Sequence, residues 1–383
     1  KDNFLIGTQQ RKSIFSRHHS RKTPLYQSVI EIDERISSTG KGIKEIKEAE
    51  VRTKLKAALK SGIETLAIVL VNSFRFPKNE TKVFKIASDL GFKYISCSHI
   101  VCPTINFTSR GFTTLVDAYI SPVIKKYVHR ISKNIDAKEI AFMQSNGFLS
   151  SGEKLSGKNV ILSGPAGGVV AGVKISKKNK REKVIGFDMG GTSTDIWHYD
   201  RTIEKRLEKK ISDVFIKTPT LKIDSIAAGG GSIIGYKYKR LIVGPESAGS
   251  FPGPACYRNN GPLTLTDCNL VLGRILTKDF PKYFGKKNNL SIDKKISEKK
   301  FIKLLKIIQK DYPHLKSIRQ LAEAYLKVAV DNMASAIKKT TTQRGFDIRN
   351  YTLLIFGSAA GQYSCKVAEA LNLKKIIFHP LSG

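Results

Sequence analysis

Two aspartates flank a glycine-rich turn at residues 188–195, which read Asp-Met-Gly-Gly-Thr-Ser-Thr-Asp. Adjacent glycines let backbone N–H groups approach a polyphosphate that a side chain would obstruct. Four residues of the turn are therefore expected to bind phosphate through N–H and hydroxyl groups: Gly190, Gly191, Thr192 and Ser193. Carboxylates beside phosphates are typical ligands of Mg²⁺, so Asp188 and Asp195 are predicted metal ligands and catalytic residues. An ordinary glycine turn with a capping aspartate is the alternative, which the continuation to Asp195 disfavours.

A second turn of small residues follows an apolar strand pattern at 354–356 and precedes a helical pattern. Small residues at such a turn permit a nucleoside or phosphates to approach the backbone and the following helix. The predicted contacts are Gly357, Ser358, Ala359 and Gly361. Tight packing of the strand against the helix is the alternative for this turn taken by itself.

Other reactive residue types give weaker patterns. The glycine- and proline-rich stretch 244–257 is interpreted as a wall facing the substrate, with Glu246 and Ser247 as contacts, or as a purely structural loop. Cys256 has no histidine near it in the sequence and is expected to be a packed thiol. Thr266 and Asp267 precede an apolar helical run and are expected to cap it.

The elements that must position these residues alternate between helix and strand, which favours an α/β architecture. An inserted subdomain is expected at about 210–315, where glycine, proline and lysine are frequent. The main predicted elements are strands at 26–35, 65–71, 184–188, 194–199 and 353–356, and helices at 43–60, 111–132, 318–344 and 362–371.

The chain of 383 residues carries 66 basic and 32 acidic side chains, a formal net charge of +34. The lysines are spread along the chain and no recognition motif accompanies them, so no specific nucleic-acid partner is expected. No apolar run approaches the ~20 residues of a membrane span. Five irregularly spaced cysteines favour a reducing cytosol. Cys97, His99 and Cys102 lack a second ligand pair, so zinc is not expected there.

The sequence resembles the hydantoinase/oxoprolinase family over nearly its whole length. The matching blocks are residues 162–170, 185–195, 226–232, 243–249, 252–257 and 265–274. Stretches 6–9, 110–113 with 116–119, and 280–285 are more similar to the 5-oxoprolinases of the family than to its N-methylhydantoinases or acetone carboxylase subunits.

The resemblance implies an actin-like ATPase or sugar-kinase fold with two lobes built on ribonuclease H-like units, incomplete at the N-terminus. It implies that residues 1–140 are the remainder of the first α/β lobe. Residues 141–383 would form the second lobe, which carries the ATP-binding loops. The substrate pocket is expected in the cleft between the two lobes.

The resemblance also implies ATP and Mg²⁺ as cofactors and hydrolysis of a small cyclic amide, with 5-oxo-L-proline converted to L-glutamate through phosphorylation of the lactam oxygen. The alternatives are an N-methylhydantoinase, a ketone carboxylase subunit, or a catalytically inactive fragment. It adds Asp117 as a catalytic candidate, an oxoprolinase B-type domain or subunit as partner, and a homo-oligomer as a compatible state.

Five positions depart from the family pattern. Ser358 and Ala360 replace usual glycines of the adenosine loop, and Tyr363 replaces the histidine frequent in 5-oxoprolinases. Phe148 replaces a glycine, and Cys268 an alanine. The larger side chains at 358 and 360 are expected to crowd a nucleotide.

Overall fold

The computed structural model describes Phe4 and residues 24–211 and 214–382. The stretch 6–9, one of those similar to 5-oxoprolinases, lies outside the described residues. The chain divides into two compact units. The first contains the described residues up to Gly167 together with Lys205–Leu221, and the second contains Gly168–Glu204 and the chain from Lys222 onward.

The α-helices, in chain order, are α1 (Glu48–Lys60), α2 (Lys78–Asp89), α3 (Ser98–Val101), α4 (Phe107–Asn134), α5 (Ser163–Lys178), α6 (Leu265–Val271), α7 (Lys294–Ile308), α8 (Ile318–Thr340) and α9 (Ser364–Ala370). The strands are β1 (Arg35–Ile36), β2 (Gly42–Lys44), β3 (Thr65–Ile68), β4 (Tyr94–Cys97), β5 (Ala141–Met143), β6 (Leu149–Ser151), β7 (Lys183–Met189), β8 (Thr194–Asp200), β9 (Thr202–Ile203), β10 (Lys205–Ile211), β11 (Val214–Leu221), β12 (Asp224–Ile226), β13 (Ser232–Lys237), β14 (Arg240–Ser247), β15 (Thr352–Phe356) and β16 (Lys375–Phe378). The predicted mixture of helix and strand is confirmed. None of these helices is both long enough and apolar enough to cross a bilayer.

The first unit contains a parallel pair of strands, β3 and β4, in register from Thr65 with Tyr94 to Ile68 with Cys97. Helices α1 and α2 bury apolar side chains against it, among them Leu55, Val83 and Ile86. Because helices supply the crossover between parallel strands, this is the βαβ arrangement that alternating patterns predict.

Two elements of the first unit differ from the sequence prediction. Residues 26–35 were expected to form a strand, but only Arg35–Ile36 does so. Apolar and polar residues alternate there because Ile30 and Ile32 pack against the core formed with α1 and α2. A strand additionally needs a neighbouring strand with which its backbone forms hydrogen bonds. Helix α1 begins at Glu48 rather than at residue 43, and Glu48 and Glu50 lie in its first turn, where acidic side chains complement the helix dipole.

The second unit is built on a six-stranded sheet in the order β12-β8-β7-β15-β16, with β9 paired to β8. Strand β8 is antiparallel to β7, whereas β15 is parallel to β7. Val184, Ile185 and Phe187 of β7 are fully buried, as expected of an interior strand covered on both faces. Helix α8 packs in the same core through Leu321, Met333 and Ile337.

An ionic cluster lies beside this sheet at Glu204. Its carboxylate lies 2.8 Å from Arg344 Nη2 and 2.9 Å from Lys222 Nζ. Burial by itself would raise the pKa of Glu204, but the hydrogen bonds from Arg344 and Lys222 outweigh it and hold the pKa to about 2. Folding therefore favours the ionised form, which stabilises the fold above the ordinary pKa and is lost as the pH falls toward 2.

We expect Glu204→Gln to lower the free energy of unfolding by about 1–2 kcal/mol at neutral pH, because solvent screening of a partly exposed carboxylate reduces the roughly 1.4 kcal/mol that each pKa unit represents. The deficit should shrink between about pH 4.5 and 2, where wild-type Glu204 is itself protonated. Denaturant titrations at several pH values measure it. Glu182→Gln is the matched control, because Glu182 pairs with Arg201 at 2.8 Å on an exposed surface and should matter by less than about 1 kcal/mol. A deficit for Glu204→Gln that does not vary with pH would contradict the ionic origin.

Candidate active site

Strands β7 and β8 form the predicted hairpin and place both aspartates at its turn. Asp188 lies directly opposite Asp195 in the antiparallel register, followed by Met189 opposite Thr194. The connecting hairpin loop, residues 190–193, is closed by a 3.1 Å hydrogen bond from Gly190 N–H to the Ser193 carbonyl. Residues directly opposite each other in such a pair have side chains on the same face, so the two carboxylates share one side of the hairpin.

The two carboxylates differ in their surroundings. Asp195 accepts a hydrogen bond from the Ser225 hydroxyl on β12. Asp188 receives no hydrogen bond or ion pair from the described residues. Burial, reinforced by the charge of Asp195, raises the pKa of Asp188. A half-buried carboxylate beside a second one, without a cationic partner, is stabilised by a bound cation, and oxygen ligands of this kind suit Mg²⁺.

The outer surface of the hairpin loop is open. A methyl group built on Gly190 or Gly191 would meet no atom within 4 Å, and neither glycine has a positive φ. Gly191 and Thr192 are exposed, and Ser193 is half-buried. The fold would accommodate a side chain at either glycine. Because neither residue has one, the backbone N–H groups of the hairpin loop stay accessible from solvent.

The inner surface of the hairpin loop packs against a second glycine run, here called the middle loop (residues 229–231). Gly230 N–H donates to the Gly190 carbonyl at 3.1 Å, and Gly231 N–H donates to the Gly191 carbonyl at 2.6 Å. A methyl group on Gly229 would lie 2.5 Å from Thr192 N. The middle loop thus supports the hairpin loop from behind, at a distance that only glycine permits.

The small-residue turn at 357–361, here called the distal loop, meets the same hairpin. Phe356 pairs with Asp188 in the parallel register of β15 and β7, and Ala359 N–H donates to the Met189 carbonyl at 3.1 Å. Gly357 has a φ of +82° and lies against Asp188. Ser358 and Gly361 are exposed, whereas Ala359 is buried. The structure therefore joins the two turns that the sequence singled out separately.

Of the two predicted substrate contacts, Ser247 lies beside the loops. Its hydroxyl donates to the Gly231 carbonyl at 3.3 Å and accepts from Gly249 N–H at 3.2 Å. Glu246 is exposed at the same end of β14, and neighbouring residues of a strand point to opposite faces. A role for either in substrate binding stays a prediction.

Asp117 belongs to the first unit. It is buried on α4, and its carboxylate accepts from the Ser96 hydroxyl at 2.7 Å and from Lys158 N–H at 2.9 Å. Each oxygen has a donor, so these bonds connect α4 to β4 and to the Lys158 segment. This arrangement accounts for Asp117 as a structural carboxylate, and its catalytic role stays a prediction.

The buried cysteines Cys97 and Cys256 resemble packed thiols. Cys256 is fully buried, and burial, together with nearby Asp267, raises its pKa, which opposes thiolate formation. Glu80, Cys97 and His99 converge to within 4.8 Å, but Glu80 already accepts hydrogen bonds from Leu70, Ser98 and His99. Burial raises the pKa of Cys97 to about 12. The expected absence of a zinc site at Cys97, His99 and Cys102 stays a prediction.

Helix α6 contributes residues that the sequence analysis did not assign to the site. Thr264 is its N-cap, and Asp267 completes a capping box, so the predicted capping role is confirmed for Asp267 but not for Thr266. Thr266 donates to the Gly230 carbonyl, and Asn269 donates to Gln362 and Tyr363. The available signal was two polar residues three apart within an apolar helical run.

Comparison with known proteins supplies the family. The hydantoinase/oxoprolinase model matches residues 110–383, and the model of the hydantoinase/oxoprolinase N-terminal region matches residues 1–91. The 5-oxoprolinase of Saccharomyces cerevisiae is 39% identical over 100% of this chain and 32% of its own length. The chain thus spans about a third of the length of that relative.

Two solved structures share the fold. ATP-dependent caprolactamase from Pseudomonas jessenii aligns with 100% of this chain and 56% of its own, with a TM-score of 0.77 and 26% identity. Nucleotide-free acetone carboxylase aligns with 90% of this chain and 49% of its own, with a TM-score of 0.73 and 21% identity. Because a family model covers most of the chain, from Arg110 to its last residue, the chain belongs to the hydantoinase/oxoprolinase family.

Proposed function

We propose that the hairpin, middle and distal loops form a Mg²⁺–ATP site serving the ATP-dependent hydrolysis of a cyclic amide. One observation carries the proposal. Gly190 and Gly191 face open space beside a carboxylate that has no cationic partner among the described residues. An open run of backbone N–H groups next to paired carboxylates suits a magnesium-bound polyphosphate.

The roles of the residues follow from their positions. Asp188 and Asp195 would hold Mg²⁺, and the hairpin loop would bind phosphate oxygens through the N–H groups of Gly190 and Gly191 and the hydroxyls of Thr192 and Ser193. The distal loop would contact the nucleoside through Gly357, Ser358, Ala359 and Gly361. Phosphoryl transfer depends mainly on such positioning and charge neutralisation.

The substrate we propose is 5-oxo-L-proline. ATP supplies a phosphoryl group to the lactam oxygen, which makes the ring carbon electrophilic. One water would then add to that carbon and the ring C–N bond would break, which leaves the carboxyl group as an acyl phosphate with the nitrogen as a free amine. A second water would hydrolyse the acyl phosphate, so that one ATP and two waters yield L-glutamate, ADP and phosphate. Support comes from two relatives, one named a 5-oxoprolinase and the other an ATP-dependent caprolactamase. Each name refers to a substrate that is a cyclic amide. An N-methylhydantoinase or a ketone carboxylase subunit is the alternative.

The wider assignment is also a proposal. In the second unit β8 is antiparallel to both β7 and β12, whereas β15 is parallel to both β7 and β16. This combination supports a ribonuclease H-like unit and hence an actin-like, two-lobed protein. This chain spans 32% of the length of the Saccharomyces cerevisiae 5-oxoprolinase, which supports an oxoprolinase B-type domain or subunit as partner. We propose a cytoplasmic location and no catalytic turnover by this chain without that partner.

The experiment is a coupled assay of ADP release with the complete protein, comparing 5-oxo-L-proline, N-methylhydantoin and acetone with bicarbonate. We expect ADP release that depends on 5-oxo-L-proline and Mg²⁺, with glutamate formed in equimolar amount. ADP release with one of the other substrates alone would transfer the assignment to that branch. No substrate-dependent release with any of them would overturn all three substrate assignments and favour the catalytically inactive alternative.

A further inference from the structure

Through one face, helix α6 contacts the middle loop and the two residues that directly follow the distal loop. Thr266 and Asn269 are three residues apart, and side chains at this spacing lie on the same side of a helix. Apolar neighbours on the helix, such as Leu265, Cys268 and Val271, are buried in the core of the second unit. Besides the capping Asp267, this short and largely buried helix carries Thr266 and Asn269, and polar groups in such a position need a reason other than solubility.

The Thr266 end holds the middle loop. Thr266 N–H donates to the Gly230 carbonyl at 2.8 Å, and the Thr266 hydroxyl donates to the same oxygen at 2.9 Å. Gly230 N–H in turn donates to the Gly190 carbonyl. A single residue, Gly230, therefore connects α6 to the hairpin loop through its carbonyl on one side and its N–H on the other.

The Asn269 end holds the segment that leaves the distal loop. Asn269 Nδ2 donates to Tyr363 OH at 2.8 Å and to Gln362 Oε1 at 2.7 Å. Asn269 is fully buried, and its Oδ1 has no hydrogen-bond partner among the described residues. An unsatisfied buried polar atom costs stability, so the presence of Asn269 at this position needs an explanation.

The hydrogen bonds form a closed path through the candidate site. From the hairpin loop the path leads through Gly230 to Thr266, along α6 to Asn269, and through Tyr363 to the distal loop. Ala359 N–H returns to the Met189 carbonyl at 3.1 Å. Every connection lies within the second unit.

The helix itself is firmly anchored. The Asp267 carboxylate accepts from Thr264 N–H and hydroxyl, from the backbone N–H groups of Ala255 and Cys256, and from the Ser297 hydroxyl, at 2.6–3.1 Å. Several hydrogen bonds to one buried carboxylate fix the position of the helix start. The two loop-contacting residues of α6, Thr266 and Asn269, are thereby held at a fixed separation on one rigid element.

We propose that α6 couples the phosphate-binding and nucleoside-binding loops, with Thr266 and Asn269 as positioning residues. This inference rests on the proposed function for the identity of the ligand. Each end of α6 orients one loop, so loosening either end disturbs the loop at the other. Loss of a contact to the distal loop then weakens binding of a ligand that touches only the hairpin loop, and the reverse holds as well.

Two near-isosteric substitutions in the complete chain test the coupling. Tyr363→Phe removes one of the two acceptors of Asn269 Nδ2, and Thr266→Val removes the hydroxyl donor to Gly230. Dissociation constants are measured with Mg²⁺ for ATP, for inorganic triphosphate and for adenosine. We expect Tyr363→Phe to weaken triphosphate binding, and Thr266→Val to weaken adenosine binding, each roughly 3- to 10-fold, the effect of losing one buried hydrogen bond.

Tyr325→Phe is the matched control, because its buried hydroxyl bonds the Gly235 carbonyl at 2.9 Å and not the loops. Its dissociation constants should equal those of the wild type. If each substitution weakens only the ligand that it directly supports, the coupling is disproved. Equal weakening by Tyr325→Phe would also overturn the proposal, because it would indicate general loosening of the core.

Hydrogen exchange without nucleotide separates this inference from the proposed function. We expect Tyr363→Phe to accelerate exchange of Gly230 N–H, and Thr266→Val to accelerate exchange of Ala359 N–H, by a similar factor. If the wild type does not bind Mg²⁺–ATP, the proposed function fails, yet these exchange rates still decide the coupling. Unchanged exchange at both remote amides would refute it.

Discussion

Asp188→Asn should make the protein more stable and, at the same time, unable to use magnesium. Burial and the neighbouring Asp195 raise the pKa of Asp188, so folding favours its protonated form. A carboxylate with a raised pKa contributes stability at low pH and loses it as the pH rises through that pKa. At neutral pH the ionised side chain therefore opposes folding, and a neutral amide of the same shape relieves both the burial cost and the repulsion.

The expected gain is about 0.5–2 kcal/mol in the free energy of unfolding at neutral pH, the usual range when a destabilising site residue is replaced. The gain should vanish as the pH is lowered through the pKa of Asp188, because the wild-type carboxyl then becomes neutral too. Saturating Mg²⁺–ATP should stabilise the wild type by about 2.7 kcal/mol at a hundredfold excess over Kd. It should not stabilise Asp188→Asn, and ADP release by the complete protein should fall by at least about 100-fold.

Asp331→Asn, at an exposed position of α8, is the control for removing one negative charge. It should change neither the stability, with or without Mg²⁺–ATP, nor the rate of ADP release. Thermal unfolding with and without Mg²⁺–ATP measures the change in stability, and the coupled assay measures the loss of ADP release. Two results would count against the metal role: a destabilised Asp188→Asn protein, or one that Mg²⁺–ATP stabilises as strongly as the wild type.

The hairpin and the distal loop were predictable from the sequence because both depend on local patterns. An apolar strand, two glycines and a second strand fix the Asp188–Asp195 pairing through a short antiparallel register. The distal loop likewise follows a strand and precedes a helix. Because β15 is parallel to β7, the C-terminal ends of both strands lie together, which brings the two predicted turns into contact.

The supporting contacts were not predictable, because they join residues distant in sequence. The middle loop was noted only as a glycine run, yet its packing against Thr192 explains why Gly229 cannot carry a side chain. The bond between Asn269 and Tyr363 spans 94 positions. Asp117 was linked to the site by resemblance alone, whereas its contacts with Ser96 and Lys158 are structural and depend on tertiary packing. Spacing in the sequence carries no information on such pairs.

The glycines of the site fall into two groups with different physical requirements. Gly229 and Gly357 have no room for a side chain, so the fold itself requires them. Gly190 and Gly191 face open space, so only a ligand would require them. Substitution can therefore separate the stability of the fold from the function of the site.

Gly357→Ala and Gly190→Ala form the pair that makes this separation. At Gly357 the φ of +82° disfavours alanine, and the added methyl would overlap the Met189 carbonyl oxygen and lie 2.6 Å from Asp188 Oδ1. We expect a loss of about 2–4 kcal/mol in the free energy of unfolding, from the left-handed backbone and the overpacking together. At Gly190 we expect no loss of stability, and a gain of up to about 1 kcal/mol, because alanine restricts the unfolded chain.

The two substitutions differ in their expected effect on stability but not in their expected effect on nucleotide binding. Both substitutions should weaken Mg²⁺–ATP binding, Gly357→Ala through the displaced Asp188 and Gly190→Ala through a methyl group in the space left for phosphate. Denaturant titration and nucleotide binding, measured on the same preparations, give the two quantities. Gly273→Ala is the control for the backbone conformation alone, because Gly273 has a φ of +77° and nothing lies within 4 Å of the added methyl. It should lower the free energy of unfolding by about 1–2 kcal/mol and leave Mg²⁺–ATP binding unchanged. If Gly190→Ala binds Mg²⁺–ATP as tightly as the wild type, the hairpin loop does not approach phosphate closely, and its glycines need another explanation.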